Sequence, residues 1–193
     1  MTPVDTRQTA PNVDFTITFH APFHVGSGVT SRGLDRVVDR VKPLPATSLK
    51  GVMRAAARDL GLPPQLVIDI FGGPGRKDSP WWWSDAAFDT ADVHIDRLAR
   101  IRVDDATGIV KRGFLMMGEV VWATQAHFRV SPLVGRDPQI IARDVTVLRA
   151  AARAIVALGG SRRRGEGWVT VTDGQEWTDA DSQVLLSLKA AAS

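Results

Sequence analysis

The sequence contains no cysteine among its 193 residues. This absence excludes disulfide bonds, thiolate metal sites and cysteine nucleophiles. The chain also has no apolar run near the roughly 18 residues that a membrane-spanning helix needs. Its first residues, "MTPVDTRQTAPNVDF", have neither a basic segment followed by an apolar run nor a cleavage-like site. We therefore expect a soluble, unprocessed, cytoplasmic protein with no membrane partner.

Apart from these absences, the composition is that of an ordinary globular protein. Hydrophobic residues make up 44% of the chain and charged residues 23%, and 193 residues are enough to bury one substantial core. The formal net charge is only +3, with a pI of about 9.8, so the placement of positive charge indicates more about partners than its total. We expect a flexible tail over residues 1–12 and a single domain over residues 13–193.

The order of hydrophobic patterns predicts an α+β fold. The segment "VDFTITFH" alternates apolar and polar residues as a half-buried strand does, and a loop-like segment covers residues 21–44. A helix follows in "TSLKGVMRAAARDLG", with Thr47 or Ser48 as its cap. Further strands, a helix over about residues 141–158, the strand "GWVTVTDG" and a terminal helix with Thr178 or Asp179 near its cap complete the chain. This order predicts an antiparallel sheet with helices packed on one face, closest to the ferredoxin-like arrangement.

Two features are informative among the central strands. The segment "DDATG" predicts a hairpin turn after "LARIRVDD", with a return strand through Lys111 and Arg112. The segments "FLMMGEVVWAT" and "AHFRVSP" predict two further strands. In the "WWW" segment, a strand would direct Trp81 and Trp83 to one face and Trp82 to the other. Exposed tryptophans can stack on bases, but burial of the pair Trp81 and Trp83 is the favoured interpretation.

The segment "LGGSRRRGEGW" places three consecutive arginines between glycines. It is no phosphate-binding loop of the Gly-Lys-Ser type, because it runs from a helix to a strand and Glu166 follows Gly165. We expect Gly159 and Gly160 to cap the preceding helix, where a positive φ costs glycine nothing. The arginines can bind phosphate oxygens, or they can form a solvated turn balanced by Glu166. Composition favours neither alternative.

A second basic feature lies on the first helix, where Lys50, Arg54 and Arg58 are spaced four residues apart. Such a stripe is either an ordinary solvent-exposed face or a ligand surface. Ser48 and Lys50 lie at the helix start, where free backbone N–H groups and the positive end of the helix dipole favour an anion.

The loop "HVGSGVTSRGLD" combines His24, glycines, Arg32 and Asp35, with Asp39 close behind. A lone histidine is more often structural than catalytic. An aspartate beside RNA can hold Mg²⁺ near a scissile phosphate, where the ion offsets developing negative charge. In an arginine-rich loop the same aspartate can simply be an ion-pair partner.

Several segments, in order, resemble the RAMP (repeat-associated mysterious protein) superfamily of CRISPR effector subunits, and most closely the backbone subunit of type III complexes. The resemblance implies an RRM-like palm with a thumb-like hairpin insertion. It also implies copies stacked head to tail along a guide RNA, beside other CRISPR effector subunits, in a heterologous contact that forms a filament. The matching segments, which span residues 23–171, are "FHVGSG", "GLDRVV", "LPATSLKGVMR", "IFGG", "WWWSDAAF", "VDDATGIVKRG", "GEVVWATQAHF" and "LGGSRRRGEGWVTV".

The resemblance also implies roles for individual residues. The family's nuclease aspartate matches Asp35, which would hold Mg²⁺ or another divalent cation and cut the target RNA paired with the guide. The chain departs from the family where Ala46 replaces a glycine in "PATS", and where "VDD" lacks an arginine of the thumb stretch. The residues expected to bind RNA are His24, Ser27, Arg32, Ser48, Lys50, Arg54, Gly159, Gly160, Ser161, Arg162, Arg163, Arg164 and Gly165.

The leading hypothesis is therefore a guide-RNA-binding backbone subunit with metal-dependent endoribonuclease activity. Three alternatives stay open. The protein could be a non-catalytic architectural subunit in which Asp35 only pairs with Arg32 or Arg36. It could be a metal-independent processing ribonuclease that uses His24 as general acid or base. Outside the superfamily, it could be a basic adaptor with no RNA ligand.

Overall fold

The computed structural model describes residues 12–28, 33–75, 78–89, 91–104, 106–133 and 135–190. The predicted tail over residues 1–12 lies almost wholly outside this part of the chain. Within it, no helix is long and apolar enough to span a bilayer. The elements are β1 (Val13–Phe19), α1 (Ala46–Asp59), α2 (Pro64–Phe71), β2 (Trp81–Trp83), β3 (Ala87–Phe88), β4 (His94–Val103), β5 (Val110–Trp122), β6 (Gln125–Pro132), α3 (Pro138–Arg153), β7 (Val169–Thr172) and α4 (Asp179–Ala190).

The main sheet is antiparallel and has the strand order β2-β6-β1-β7, with β3 also paired to β6. Alternate residues of the central strand β1 are buried and their neighbours are partly exposed, as period-two patterning requires for a sheet with one covered face. Phe15 pairs with Phe128 on β6, and their rings stack with centroids 4.9 Å apart. Trp81 and Trp83 are buried while Trp82 is exposed, which confirms the predicted alternation.

Helices α1 and α3 cover the buried face of this sheet. Leu49 and Met53 of α1 and Val147 and Leu148 of α3 are fully buried and belong to one core cluster with the inward residues of β1. The opposite face carries polar pairs, such as the Arg129–Asp14 ion pair with Nε to Oδ1 at 2.6 Å. The structure thus confirms the α+β, ferredoxin-like fold with helices on one face.

Strands β4 and β5 form a separate two-stranded hairpin, the expected thumb-like insertion. Its turn is closed by Asp104, whose N–H donates to the carbonyl of Ile109 at 2.9 Å and whose carbonyl accepts from Gly108 at 2.8 Å. The strand β5 is continuous over 13 residues, so two segments that the sequence predicted as separate form one strand. Ile101 and Leu115 face each other across this hairpin and are 56% and 60% exposed.

The start of α1 differs from the sequence prediction. Neither Thr47 nor Ser48 caps the helix, because the helix begins at Ala46 and Pro45 occupies the cap without a side-chain hydrogen bond. A distant carboxylate performs this role, since Asp85 Oδ1 accepts from the Ala46 N–H at 2.9 Å. At the terminal helix the prediction is confirmed, since Thr178 Oγ1 accepts from the Asp181 N–H at 3.2 Å.

Helix α2 was not predicted, although Pro64 at its first position is a recognised helix-start signal. The sequence analysis treated the two prolines only as the end of α1. Four apolar residues of α2 are buried and join the core: Leu66, Val67, Ile70 and Phe71.

The end of α3 also differs, because the helix stops at Arg153 and Ala154 occupies the cap. Gly159 and Gly160 therefore do not cap it. Residues 155–158 instead run antiparallel to the chain entering β7: the Leu158 N–H donates to the Gly167 carbonyl at 2.7 Å, and Ala157 bridges Trp168. This pairing satisfies backbone groups that a longer helix would have bonded internally.

The glycine-rich loop, residues 159–167, packs directly on the segment after β1. The Gly160 N–H donates to the His24 carbonyl and the Gly167 N–H to the Pro22 carbonyl, both at 2.8 Å. Gly159 has a φ of +73°, and a Cβ added there would overlap the His24 carbonyl oxygen. The loop therefore needs glycine at this position for close approach as well as for backbone conformation.

The close approach predicts a difference between two glycines with similar backbones. Gly165 has a φ of +83° and open space where a Cβ would point, so Gly165→Ala should cost only the left-handed strain of about 1 kcal/mol. Gly159→Ala adds a steric overlap with backbone and should cost clearly more. Chemical denaturation of both variants measures the free energy of unfolding. Equal losses would contradict the packing described here.

Candidate functional site

A groove runs between α1 and the glycine-rich loop. One end is a pocket of about 330 Å³ to which α1 contributes Ser48 and Gly51 and the loop contributes Gly159, Gly160 and Arg162. Four of the predicted RNA-binding residues, from distant parts of the sequence, thus share one pocket: Ser48, Gly159, Gly160 and Arg162. The remaining lining residues are Val25, Gly26, Val52 and Ala55.

Small residues on α1 keep this groove open. Ser48, Gly51 and Ala55 recur at helical spacing on the face that looks toward the loop. The residues at 49, 53 and 56, on an adjacent face, are buried in the core. The α1 wall therefore carries little side-chain bulk at Ser48, Gly51 and Ala55, so a ligand can approach the helix closely there.

The three consecutive arginines form a short 3₁₀ turn, Arg162–Arg164, and all three are exposed. Ser161 before the turn has a left-handed φ of +56°, and Gly165 after it has a φ of +83°. The turn is closed by the Arg164 N–H, which donates to the Ser161 carbonyl at 2.8 Å. Three guanidinium groups are thereby presented to solvent beside the groove.

Glu166 does not balance these arginines, contrary to the alternative that the sequence left open. Its carboxylate is buried and binds two other guanidinium groups, those of Arg36 and Arg100. Arg36 Nη2 lies 3.1 Å from Oε1, and both arginines also donate to Ser161 Oγ, at 2.9 and 3.2 Å. A buried carboxylate needs such pairing to offset its desolvation. Glu166 therefore joins the loop after β1, the β4–β5 hairpin and the glycine-rich loop.

His24 is buried behind the glycine-rich loop. Its Nδ1–H donates to the Glu119 carbonyl at 2.8 Å. Burial lowers the pKa of His24 below its ordinary 6.5, although this hydrogen bond acts in the opposite direction. The imidazole is therefore neutral near pH 7 and serves to hold its own carbonyl under Gly160.

Glu119 forms a second buried anchor in the same region. Its Oε1 accepts from Arg40 Nη2 at 2.7 Å and its Oε2 from the Val38 N–H at 3.1 Å. The Glu119 N–H in turn donates to the Arg36 carbonyl at 2.9 Å. The segment 36–40, which follows Asp35, is thus fastened to β5.

Asp35 is exposed and lies at the edge of β5. Its N–H donates to the Met117 carbonyl at 2.7 Å, and its Oδ2 accepts from the Met117 N–H at 2.8 Å. The adjacent Arg36 side chain crosses Gly118, where an added Cβ would lie 2.9 Å from Arg36 Nε. Asp35 thus has a fixed backbone and a carboxylate held at one oxygen. Arg36 binds Glu166 instead.

The donor set at Asp35 is small. Within the described residues, no group of three or more His, Asp or Glu side chains could hold a metal ion. Mg²⁺, however, is commonly bound through one or two carboxylates together with substrate phosphates. Asp35 therefore fits a divalent cation that is shared with RNA phosphate oxygens. Asp39, by contrast, uses Oδ1 to accept from the Val41 and Lys42 N–H groups, which lower its pKa.

Other predicted contacts lie elsewhere. At about 100° per residue, Lys50 is about 200° around the helix from Ser48, and neither Lys50 nor Arg54 lines the groove described here. Ser27 follows Gly26, which lines the groove, and donates its N–H to the Val37 carbonyl at 3.0 Å. Arg32 lies outside the described residues. At the start of α1, fewer backbone N–H groups are available to an anion than expected, since the Ser48 N–H already donates to the Pro45 carbonyl at 2.9 Å.

Sequence reasoning missed the residues that hold this region together: Glu166, Arg36, Arg100 and Glu119. No local signal in the sequence distinguishes Glu166 from a surface carboxylate, because its glycine neighbours favour a loop whether the side chain is buried or exposed. Its partners could not be read from the sequence, since Arg36 and Arg100 come from separate segments.

Glu166→Gln tests this anchor. The amide cannot neutralise two guanidinium groups, so we expect a loss of about 3 kcal/mol in the free energy of unfolding. The control is Glu176→Gln, which makes the same change at an exposed side chain and should shift stability by less than about 0.5 kcal/mol. Urea unfolding measures both. A loss in Glu166→Gln no larger than in the control would contradict the role of Glu166.

Comparison with known proteins bears on the fold and the family. Two solved chains resemble the structure, each at 14% sequence identity. One, from the cryo-EM structure of the type III-B Cmr-beta bound to cognate target RNA, has a TM-score of 0.64 and covers 85% of this chain and 97% of its own. The other, from the type III-B Cmr-beta cryo-EM structure of the apo state, has a TM-score of 0.66 and covers 90% and 99%.

These likenesses show a shared fold. A search of curated proteins found no match. The model of the RAMP superfamily matches residues 16–170, a region that begins within β1 and includes the groove, the hairpin and the glycine-rich loop. The chain therefore belongs to the RAMP superfamily.

Proposed function

We propose that the protein is a guide-RNA-binding subunit of a type III CRISPR effector complex and cuts the target RNA paired with the guide. The observation that carries this proposal is the groove in which Ser48 meets Gly159, Gly160 and Arg162. Its floor of small residues admits a sugar-phosphate backbone, and the Arg162–Arg164 turn supplies positive charge beside it. The resemblance to chains of type III-B Cmr-beta supports the kind of assembly.

The β4–β5 hairpin supports the proposal that copies stack head to tail beside other effector subunits. It projects apolar side chains that the chain's own core does not cover, including the opposed pair Ile101 and Leu115. If the hairpin of one copy contacts a different surface of the next copy, the contact is heterologous. Such a contact builds an open filament when the rotation between neighbouring copies does not close into a ring.

Asp35 is the proposed nuclease residue. Its Met117 hydrogen bonds hold the carboxylate at a fixed place at the edge of β5. A divalent cation bound there with RNA phosphate oxygens would offset the negative charge that develops at the scissile phosphate. The architectural alternative pairs Asp35 with Arg32 or Arg36. Arg36 binds Glu166 instead, and Arg32 lies outside the described residues.

The metal-independent alternative finds no support in the geometry. His24 is buried, donates Nδ1–H to a backbone carbonyl and lies behind the glycine-rich loop. We therefore keep the metal-dependent reaction as the proposed activity.

Asp35→Asn tests the catalytic role more sharply than alanine does, because the amide oxygen can still accept the Met117 N–H. With the full chain assembled on guide RNA, we expect Mg²⁺-dependent cleavage of complementary RNA to fall at least about 100-fold, with guide affinity little changed. Asp39→Asn is the matched control and should cleave like the native protein. If Asp35→Asn cleaves normally, Asp35 is not the nuclease residue.

Arg162→Ala tests which face binds RNA. Loss of one phosphate contact should reduce the slope of log affinity against log salt by about 0.7 for single-stranded RNA. Arg129→Ala removes the same charge from the opposite face of the sheet, where Arg129 pairs with Asp14, and should leave the slope unchanged. Binding titrations at several salt concentrations measure both slopes. A reduced slope for Arg129→Ala alone would place RNA on the sheet instead.

A further inference from the structure

The groove does not end at the phosphate pocket. Beyond Arg162 it opens into a second pocket of about 620 Å³. The two pockets share Val52, Ala55 and Arg162, so they form one continuous path along α1. The proposed RNA contacts account for the first pocket and leave the second without a ligand.

The second pocket has the walls of a site for a flat aromatic group. Its floor is apolar and comes from α1, the α3 cap residue Ala154 and the strand-like segment after it, with Val52, Ala55 and Ile155 among its residues. Trp168 forms one wall and is 59% exposed. Arg162 and Arg163 lie at its edge, and His20 and Asp59 supply the remaining polar groups.

The position of Trp168 is fixed although its side chain is exposed. Its carbonyl accepts from the His20 N–H at 2.8 Å, and its backbone bridges Ala157. The next residue, Val169, donates its N–H to the Val156 carbonyl at 3.1 Å. Because the backbone of Trp168 is fixed and its indole is open to solvent, only the side-chain torsions remain to be ordered when a ligand stacks on the ring.

We propose that Trp168 stacks against one unpaired nucleobase of the RNA strand that follows the groove. This inference rests on the proposed RNA binding and adds a base site to it. The strand's phosphates pass the Arg162–Arg164 turn, and one base turns inward onto the apolar floor. Every base has a π-face, so the site selects for an unstacked base and not for its identity.

Charge favours this occupant over an apolar side chain of a protein partner. Two exposed arginines, Arg162 and Arg163, and one carboxylate, Asp59, line this pocket, so positive charge exceeds negative charge there. A nucleotide brings its own negative charge to these guanidinium groups together with a flat apolar ring. An apolar protein side chain supplies the apolar surface but no negative charge for the guanidinium groups.

The test uses the full chain and a fluorescently labelled single-stranded RNA in which one nucleotide at a time is made abasic. The native protein should lose about tenfold in affinity at one position, because one stacked base is removed. Trp168→Ala should bind the intact RNA about tenfold more weakly and lose its sensitivity to that position. Trp168→Phe should keep most of the affinity. Trp82→Ala, at the exposed tryptophan of β2, is the matched control and should behave like the native protein.

The outcomes separate this inference from the function on which it rests. Salt-sensitive RNA binding with no sensitive abasic position, or with the same positional profile in Trp168→Ala, overturns the base site and leaves RNA binding intact. Loss of association between copies of the chain in Trp168→Ala, with RNA affinity unchanged, shows a protein-docking surface and also overturns it. Failure of the native protein to bind RNA overturns the proposed function itself. If Trp168→Ala does not fold, the absence of a sensitive abasic position in the native protein still overturns the base site, and the positional profile of Trp168→Phe replaces that of the alanine variant.

Discussion

The buried carboxylate of Glu166 is the constraint on which the groove depends. Withdrawing a carboxylate from water is unfavourable by several kcal/mol unless cations and hydrogen bonds replace the lost hydration. Here Arg36 and Arg100 provide that replacement, and each also donates to Ser161 at the other end of the glycine-rich loop. Three segments that are distant in sequence are therefore joined at the Glu166 carboxylate. The arginines Arg162–Arg164 are left for solvent or a ligand because the loop's own carboxylate is engaged elsewhere.

The glycines of the loop are explained by packing before any ligand is considered. Gly159 faces the His24 carbonyl and Gly167 faces the Leu158 carbonyl, each so closely that a Cβ would overlap backbone. Gly165 has open space around it and only needs its left-handed conformation. A glycine-rich loop beside arginines thus does not by itself indicate a phosphate cradle. What favours one here is that the same packing leaves a groove lined by Ser48, Gly51 and Gly160.

The sequence predicted the features that depend on local patterns. Alternation identified β1 and the burial of Trp81 and Trp83, and turn residues identified the β4–β5 hairpin. It failed where distant contacts override local preference. Helix α1 is capped by Asp85 from another segment, and α3 stops early because residues 155–158 pair with the chain entering β7. For the site, residue types identified Ser48, Lys50 and Arg162 as candidates. Only the fold shows that Ser48 and Arg162 line the groove and that Lys50 does not.

Strand β5 relates the proposed cleavage residue to the groove. Met117 binds Asp35 through both its N–H and its carbonyl. Two residues further along, the Glu119 carbonyl accepts from His24, and the His24 carbonyl accepts from Gly160 in the groove wall. The Asp35 N–H to Met117 carbonyl bond and the Gly160 N–H to His24 carbonyl bond join backbone to backbone, and the His24 imidazole makes the link between them. Phe23 and Val121 also exchange two backbone hydrogen bonds, at 2.9 and 2.7 Å, so the backbone itself fixes the spacing between β5 and the segment under the loop. If a guide strand lies in the groove, the point at which Asp35 meets its paired target is therefore set by the fold. If Asp35 is the nuclease residue, as proposed, its cut would then fall at a fixed position, independent of sequence.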